Sequence, residues 1–322
     1  MNVSTSNPLP ISSDPPRRGP FDLEDVDAYR RWRDRKLSGY PTATGDLVVE
    51  ICDPRALSEQ ERERLVAVCR KTNMVVYAPR MAGAADKALP RRLGEQLGLV
   101  RLDHNMLADE DGITALEQVP GKASRGYIPY SNRRLLWHTD GYYNPPERRI
   151  RGMLLHCVQP AAEGGENQLM DHEIVYILLR DRDPAHIRAL TAPDAMTIPA
   201  NADDGAGGRA ACTGPVFLVD EDGSLAMRYT ARTRSIVWKD DDATRGAVAA
   251  LEHVLAEPSP FRFTLRLQAG QGLVCNNVLH NRTGFEDAPG RPPRLVYRGR
   301  YLDRVAGTGV SHAHLHGRVA PC

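Results

Sequence analysis

The chain has 322 residues, enough for one large domain or two small ones, and 41% hydrophobic with 26% charged residues is the balance of a globular protein. Lys and Arg number 42 against 41 for Asp and Glu, so a net charge of +1 gives no electrostatic case for nucleic acid or an anionic membrane surface. No apolar run approaches the roughly 20 residues needed to cross a bilayer.

Taken in order, residues 1–20 carry Pro8, Pro10, Pro15, Pro16 and Pro20 among Ser and Asn and lack the apolar core of a signal peptide, which predicts a disordered leader. Residues 21–305 read as a single domain. A charged helix is expected from Phe21 to Lys36 and a short strand from Asp46 to Cys52. Ser58 and Glu61 have the spacing of a capping box before Leu65, Val66 and Val68, and Met74 to Ala78 reads as a buried strand. A helix follows over Leu89 to Leu97, with Pro90 in its first turn. From Leu135 the pattern turns to strands. Gly152 to Val158 is a buried strand in which His156 and Cys157 are core residues. Glu163 to Asn167 is a turn into Gln168 to Asp171, and helices follow at His172 to Arg182 and, capped by Asp183-Pro184, Ala185 to Leu190. Residues 199–215 read as a long flexible loop. Asp220-Glu221-Asp222-Gly223 joins two strands of a hairpin. Asp240 to Ala256 is a helix, Phe261 to Leu267 alternates as a half-buried strand, Leu273 to Asn276 is another, and Arg294 to Leu302 is the last clear strand. Residues 306–322, with His312, His314 and His316, read as a flexible tail. Six scattered cysteines without a Cys-x-x-Cys pair point to reduced thiols and a cytoplasmic protein. A mainly β core with flanking helices is the economical fold class.

Chemistry concentrates around Trp137-His138-Thr139-Asp140-Gly141. On a strand, His138 and Asp140 would share a face because side chains alternate with period two. His280, in Asn276-Asn277-Val278-Leu279-His280-Asn281-Arg282, would complete two histidines and one carboxylate, a set that leaves three positions open on non-haem Fe(II). His-x-Asp alone is weak. Specificity comes from the order of His138-Thr139-Asp140, Gly164-Gly165-Glu166-Asn167, His280, and Arg294 with Arg298 four residues beyond.

With these residues the chain resembles the taurine dioxygenase-like (TauD/TfdA) family of Fe(II)- and 2-oxoglutarate-dependent oxygenases, from about Asp46 to Asp303. Leu-Leu-His-Cys, the Gly-Gly turn and Val-Leu-His-Asn-Arg-Thr are similar to its γ-butyrobetaine and trimethyllysine hydroxylase branch. The resemblance implies a double-stranded β-helix, or jelly roll, with helices outside. It implies that His138, Asp140 and His280 bind iron and that Arg294 grips the distal carboxylate of 2-oxoglutarate, whose anion a planar guanidinium suits. Asn167 stands where members place a Thr or Ser against that carboxylate, and Arg298 matches an arginine that contacts an acidic group of the substrate. Implied too are Fe(II) as cofactor, 2-oxoglutarate and O2 as co-substrates, release of succinate and CO2, and oxidation, most simply hydroxylation, of a small polar molecule. A homo-oligomer is expected from the resemblance alone. A lid that excludes water is expected at residues 199–215 or in the loop before Trp137.

Other accounts of the same residues stay open. A zinc hydrolase could use His138, Asp140 and His280, although no His-Glu-x-x-His helix is present, and a non-catalytic β-barrel could bind a ligand. Trp137, Tyr142, Tyr143 and Trp238 could cage a quaternary ammonium, with core packing the simpler account. Desaturation, epimerisation and ring closure need the same site as hydroxylation and differ in substrate placement.

Overall fold

The computed structural model describes residues 19–80, 86–103, 111–118, 128–201 and 208–310. Residues 1–18, which hold most of the expected leader, and residues 311–322, with the alternating tail histidines, lie outside them, as do residues 119–127 of the loop before Trp137.

Two sheets build the scaffold. The larger has six strands in the order Val48–Ile51, Met74–Pro79, Gly272–Cys275, Gly152–Gln159, Leu295–Tyr301 and Ile113–Leu116. Its first pair is parallel and the others antiparallel. The smaller has four antiparallel strands in the order Arg262–Leu265, Asn167–Met170, Leu279–Arg282 and Leu135–His138. From Leu135 onward the chain passes back and forth between the two, which is the double-stranded β-helix.

The larger sheet is buried on both faces. Met153, Leu155 and Cys157 join Leu169, Leu273 and Val296 in the core between the sheets. Leu154, Val274 and Tyr301 face the other way, onto Leu65 and Cys69 of the helix Glu59–Thr72 and Leu93 of the helix Leu89–Gln96. Burial on two sides removes any need for polar alternation, which is why Gly152 to Val158 is apolar almost throughout. Helices His172–Arg182, Pro184–Leu190 and Asp242–Ala256 pack against one another.

The local signals mostly act as expected. Ser58 N–H donates to Glu61 Oε2 at 2.8 Å and Glu61 N–H to Ser58 Oγ at 3.3 Å, the reciprocal capping box. Asp183 caps Pro184–Leu190. Phe217–Val219 and Leu225–Met227 form the expected hairpin. Three readings change. Residues 199–215 are not one loop: Cys212–Gly214 pairs with Met196–Ile198, and Asn201 bridges Arg209, leaving only 202–207 undescribed. Gly and Ala flanking a short Thr-containing strand hide that pairing. The strand Ile113–Leu116, beside Leu295–Tyr301, has no counterpart among the expected elements because its four residues are too few for a periodic signal. Asp140 lies beyond the strand that ends at His138, in a turn. At the other end Thr308 is buried and accepts from Asn276 Nδ2 at 3.0 Å, and Arg70 Nε donates to Gly307 O at 2.7 Å, which holds this part of residues 306–310 on the domain.

Candidate metal centre

His138 closes the strand Leu135–His138 and sits directly across from His280 in Leu279–Arg282. Directly opposed residues of an antiparallel pair are the closest cross-strand neighbours. One register contact therefore unites two residues far apart in the chain, with ring centroids 4.1 Å apart. Asp140 arrives by another route. After His138 the backbone is held by Thr139, whose N–H donates to Tyr229 O at 2.9 Å and whose Oγ1 accepts from Tyr229 N–H at 3.1 Å. The chain then turns at Gly141, φ +66°, where a Cβ would fall 2.4 Å from Ile150 Cγ1. One ligand atom from each of His138, Asp140 and His280 lies within 4.8 Å of the others, all buried.

The surroundings set the protonation of this cluster. His138 Nδ1 is 2.9 Å from Leu136 O and His280 Nδ1 is 2.9 Å from Val278 O. Carbonyls only accept, so each Nδ1 carries the proton and each Nε2 offers its lone pair. Burial, then the neighbouring His280, pushes His138 down to about 3, and burial also lowers His280. Burial opposes the charge of Asp140, but Arg298, His280 and Arg300 outweigh it and hold the carboxyl below the ordinary range. Arg298 Nη1 donates to Asp140 Oδ1 at 3.3 Å, while Oδ2 is buried with no hydrogen-bond partner. Leaving an ionised oxygen so placed is costly unless a cation completes it. Two neutral imidazoles and one carboxylate with a spare oxygen fit ferrous iron bound on one face.

Leu155, Cys157, Gly165, Asn167, Arg294 and Val296 line a pocket between the sheets, on the strands flanking the cluster. Arg294 is buried there with its guanidinium 5.1 Å from the Phe285 ring, and no ion pair engages it among the described residues. Its own backbone N–H is taken by Asp287 at 3.0 Å. Asn167 Nδ2 donates to Asn281 O at 3.1 Å, tying the Gly-Gly turn to the strand of His280. Arg298 lies on the inner face, committed through Nη1 to Asp140, and its Nε is buried without a partner. Arg300 belongs to none of the motifs singled out in the sequence, yet it is buried, pairs with Asp103 and donates to Tyr143 Oη at 2.8 Å. Counting by two along Leu295–Tyr301 from Arg298 reaches Arg300, and that count is the available signal. Asn277, next to the cluster, has none.

A double-stranded β-helix that buries two histidines and an aspartate between its sheets defines the mononuclear non-haem iron oxygenase class. The chain belongs to the taurine catabolism dioxygenase TauD, TfdA family, whose description matches residues 43–299. It is 33% identical over 207 residues to a uridine-5'-phosphate dioxygenase of Streptomyces sp, covering 61% of this chain and 70% of that one. A second uridine-5'-phosphate dioxygenase, of Amycolatopsis sp, is 33% identical over 173 residues, with 50% and 58% covered. The gamma-butyrobetaine dioxygenase of Pseudomonas sp. (strain AK-1) is 30% identical over 203 residues, with 61% and 50% covered. The matches thus span between 50% and 70% of the length of these relatives. An asparagine oxygenase solved with Fe(II), a hydroxyasparagine and succinate shares the fold at TM-score 0.56 and 17% identity, covering 89% of this chain and 86% of that one. So does the non-haem iron oxygenase OrfP solved with Fe and alpha-ketoglutaric acid, at 0.56 and 16%, covering 76% and 80%.

Proposed function

We propose that the protein is an Fe(II)- and 2-oxoglutarate-dependent dioxygenase that hydroxylates a small polar molecule, releasing succinate and CO2. The observation that carries this is the buried cluster of His138, Asp140 and His280, whose imidazoles are fixed in the metal-binding tautomer beside an unpartnered carboxylate oxygen. These three residues hold the iron. Bound there with 2-oxoglutarate and O2, it supplies oxidative decarboxylation coupled to oxidation of a C–H bond.

The chain's own residues do the rest. Arg294, buried and without an acidic partner among the described residues, holds the distal carboxylate of 2-oxoglutarate by its planar fork. Asn167 braces that wall by its bond to Asn281 and presents its amide to the same pocket. Leu155, Cys157 and Val296 give the pocket an apolar wall, which strengthens an ion pair formed against it. Arg298 has two roles. Its Nη1 keeps Asp140 ionised and oriented, and its guanidinium, on the inner face beside the cluster, meets an anionic group of the substrate. The names of the relatives, a uridine 5'-phosphate and a butyrobetaine enzyme, support an anionic substrate.

The test is succinate formation from 2-oxoglutarate with Fe(II) under air, screened across nucleoside 5'-phosphates and carboxylated betaines for compounds that stimulate it. Stimulation by one class, abolished in His138→Ala, supports the reading. A protein that binds no 2-oxoglutarate in the presence of Fe(II) rules it out.

A further inference from the structure

Asn277 makes three hydrogen bonds next to the metal cluster without belonging to it. Its Oδ1 accepts from the backbone N–H of Asp140 at 2.8 Å. Its Nδ2 donates to Asp140 O at 2.9 Å and to Ile150 O at 2.8 Å. Both backbone groups of Asp140 are thus clamped by one buried amide. Ile150 is also the residue against which Gly141 closes the turn, so the clamp spans the whole bend that carries the carboxylate.

The backbone around Asn277 is strained in the way such a function requires. Its φ is +50°, and the other non-glycine residue with positive φ among the described residues is Asn73, at +58°. A left-handed side-chain residue persists where the surroundings over-determine it, and such residues gather at functional sites. The two are connected through Asn276. The Asn276 N–H donates to Asn73 O at 2.8 Å and its Nδ2 to Asn73 Oδ1 at 3.0 Å. Asn73 in turn ends the helix Glu59–Thr72 and donates through Nδ2 to the buried Asp171 at 2.9 Å. The turn between Gly272–Cys275 and Leu279–Arg282 is therefore anchored at one end to a helix terminus and at the other to Asp140.

We infer that Asn277 is a positioning residue of the metal centre: its side-chain amide, held by a left-handed backbone, fixes the turn that aims the Asp140 carboxylate between His138 and His280. His138 and His280 are placed by strand register. Asp140 lies past the strand end and lacks that support, so its placement depends on this clamp. The inference rests on the reading of the cluster as a metal site.

Co(II) binding by the purified full chain tests it, followed by the visible Co(II) bands, which report ligand geometry. Asn277→Gly keeps a residue at ease with positive φ and removes all three bonds. The variant leaves three buried backbone groups unpaired and is expected to melt below the wild-type temperature but to stay folded at about 25 °C, while its Co(II) affinity falls about tenfold to a hundredfold, the range seen when partners that orient metal ligands are lost, with shifted bands. Asn277→Asp keeps the acceptor for Asp140 N–H and loses both donated bonds, and should fall in the same direction. Wild-type affinity and bands in a folded variant overturn the inference. Failure of both variants to fold also overturns it, since the residue then serves the fold. A wild-type chain that binds no Co(II) refutes the metal reading itself, whereas wild-type binding with unaltered variants refutes only the role of Asn277.

Discussion

Arg294 and Arg298 are two of the guanidiniums that carry charge into the interior, and they do it for different ends. Arg294 makes no ion pair among the described residues; Cys157 and Asp287 offset part of the desolvation of its cation, and a bound anion would offset more. Arg294→Lys keeps the charge and loses the fork. KM for 2-oxoglutarate is expected to rise at least about tenfold, the equivalent of roughly 1.4 kcal/mol, in steady-state succinate assays. Arg298 is bound to Asp140 and holds the carboxylate ionised. Removing that charge in Arg298→Gln lets the Asp140 pKa rise. Because the ionised form binds the metal, affinity for Fe(II) or Co(II) should then fall away at a higher pH than in the wild type as the solution is acidified. Metal titrations at a series of pH values read the shift directly; superimposable profiles would show that Arg298 does not govern Asp140.

At the scale of elements, the Gly-Gly turn is what the pocket wall depends on. Gly164 has φ +68°, and a Cβ there would sit 2.2 Å from the carbonyl oxygen of Gly284. It pairs with Phe285, whose ring lies under both Arg282 and Arg294. Gly223 has a similar φ of +78° at a hairpin turn, with nothing within 4 Å of its Cβ position. Gly223→Ala should cost about 1 kcal/mol, the backbone term alone. Gly164→Ala adds a backbone clash and should cost about 2–3 kcal/mol or more in urea denaturation, with weakened 2-oxoglutarate binding as the wall under Arg294 moves. Equal costs at the two sites would show that the turn relaxes freely. The same scale accounts for Asp140. Strand alternation predicts that it shares a face with His138, yet the strand stops at His138 and a turn delivers the carboxylate. The two residues meet, but for a different reason from the one the pattern gives.

Across the whole molecule, several imidazoles are folded into places that disfavour their charged form. His156 is pushed down to about 4 by burial and its Nδ1 lies 2.8 Å from Tyr77 Oη; burial lowers His172 as well. A depressed histidine stays neutral in the folded chain while the unfolded chain takes up a proton below about pH 6.5. The stability that His156 contributes to the metal-free protein is therefore full above about pH 6.5 and is lost as pH falls toward about 4, at about 1.4 kcal/mol per pH unit, and His172 acts in the same direction. His156→Gln should make that decline shallower, as measured by urea midpoints between about pH 4.5 and 7. An unchanged slope would place the proton uptake elsewhere. Amino-acid order suffices for the strands and helices whose signals are local, such as the Ser58 capping box and the apolar run at Gly152, and for the identities and order of His138, Asp140, His280 and Arg294. Those are legible because hydrophobic pattern, caps and turn chemistry act over a few residues. Which atoms meet is settled by packing alone: the register that sets His138 opposite His280, the ion pair of Arg298 with Asp140, the burial of Arg300 and the clamp made by Asn277. Each of these depends on pairing between segments distant in the chain, and long-range register is a property of the packed whole that no short window of sequence contains.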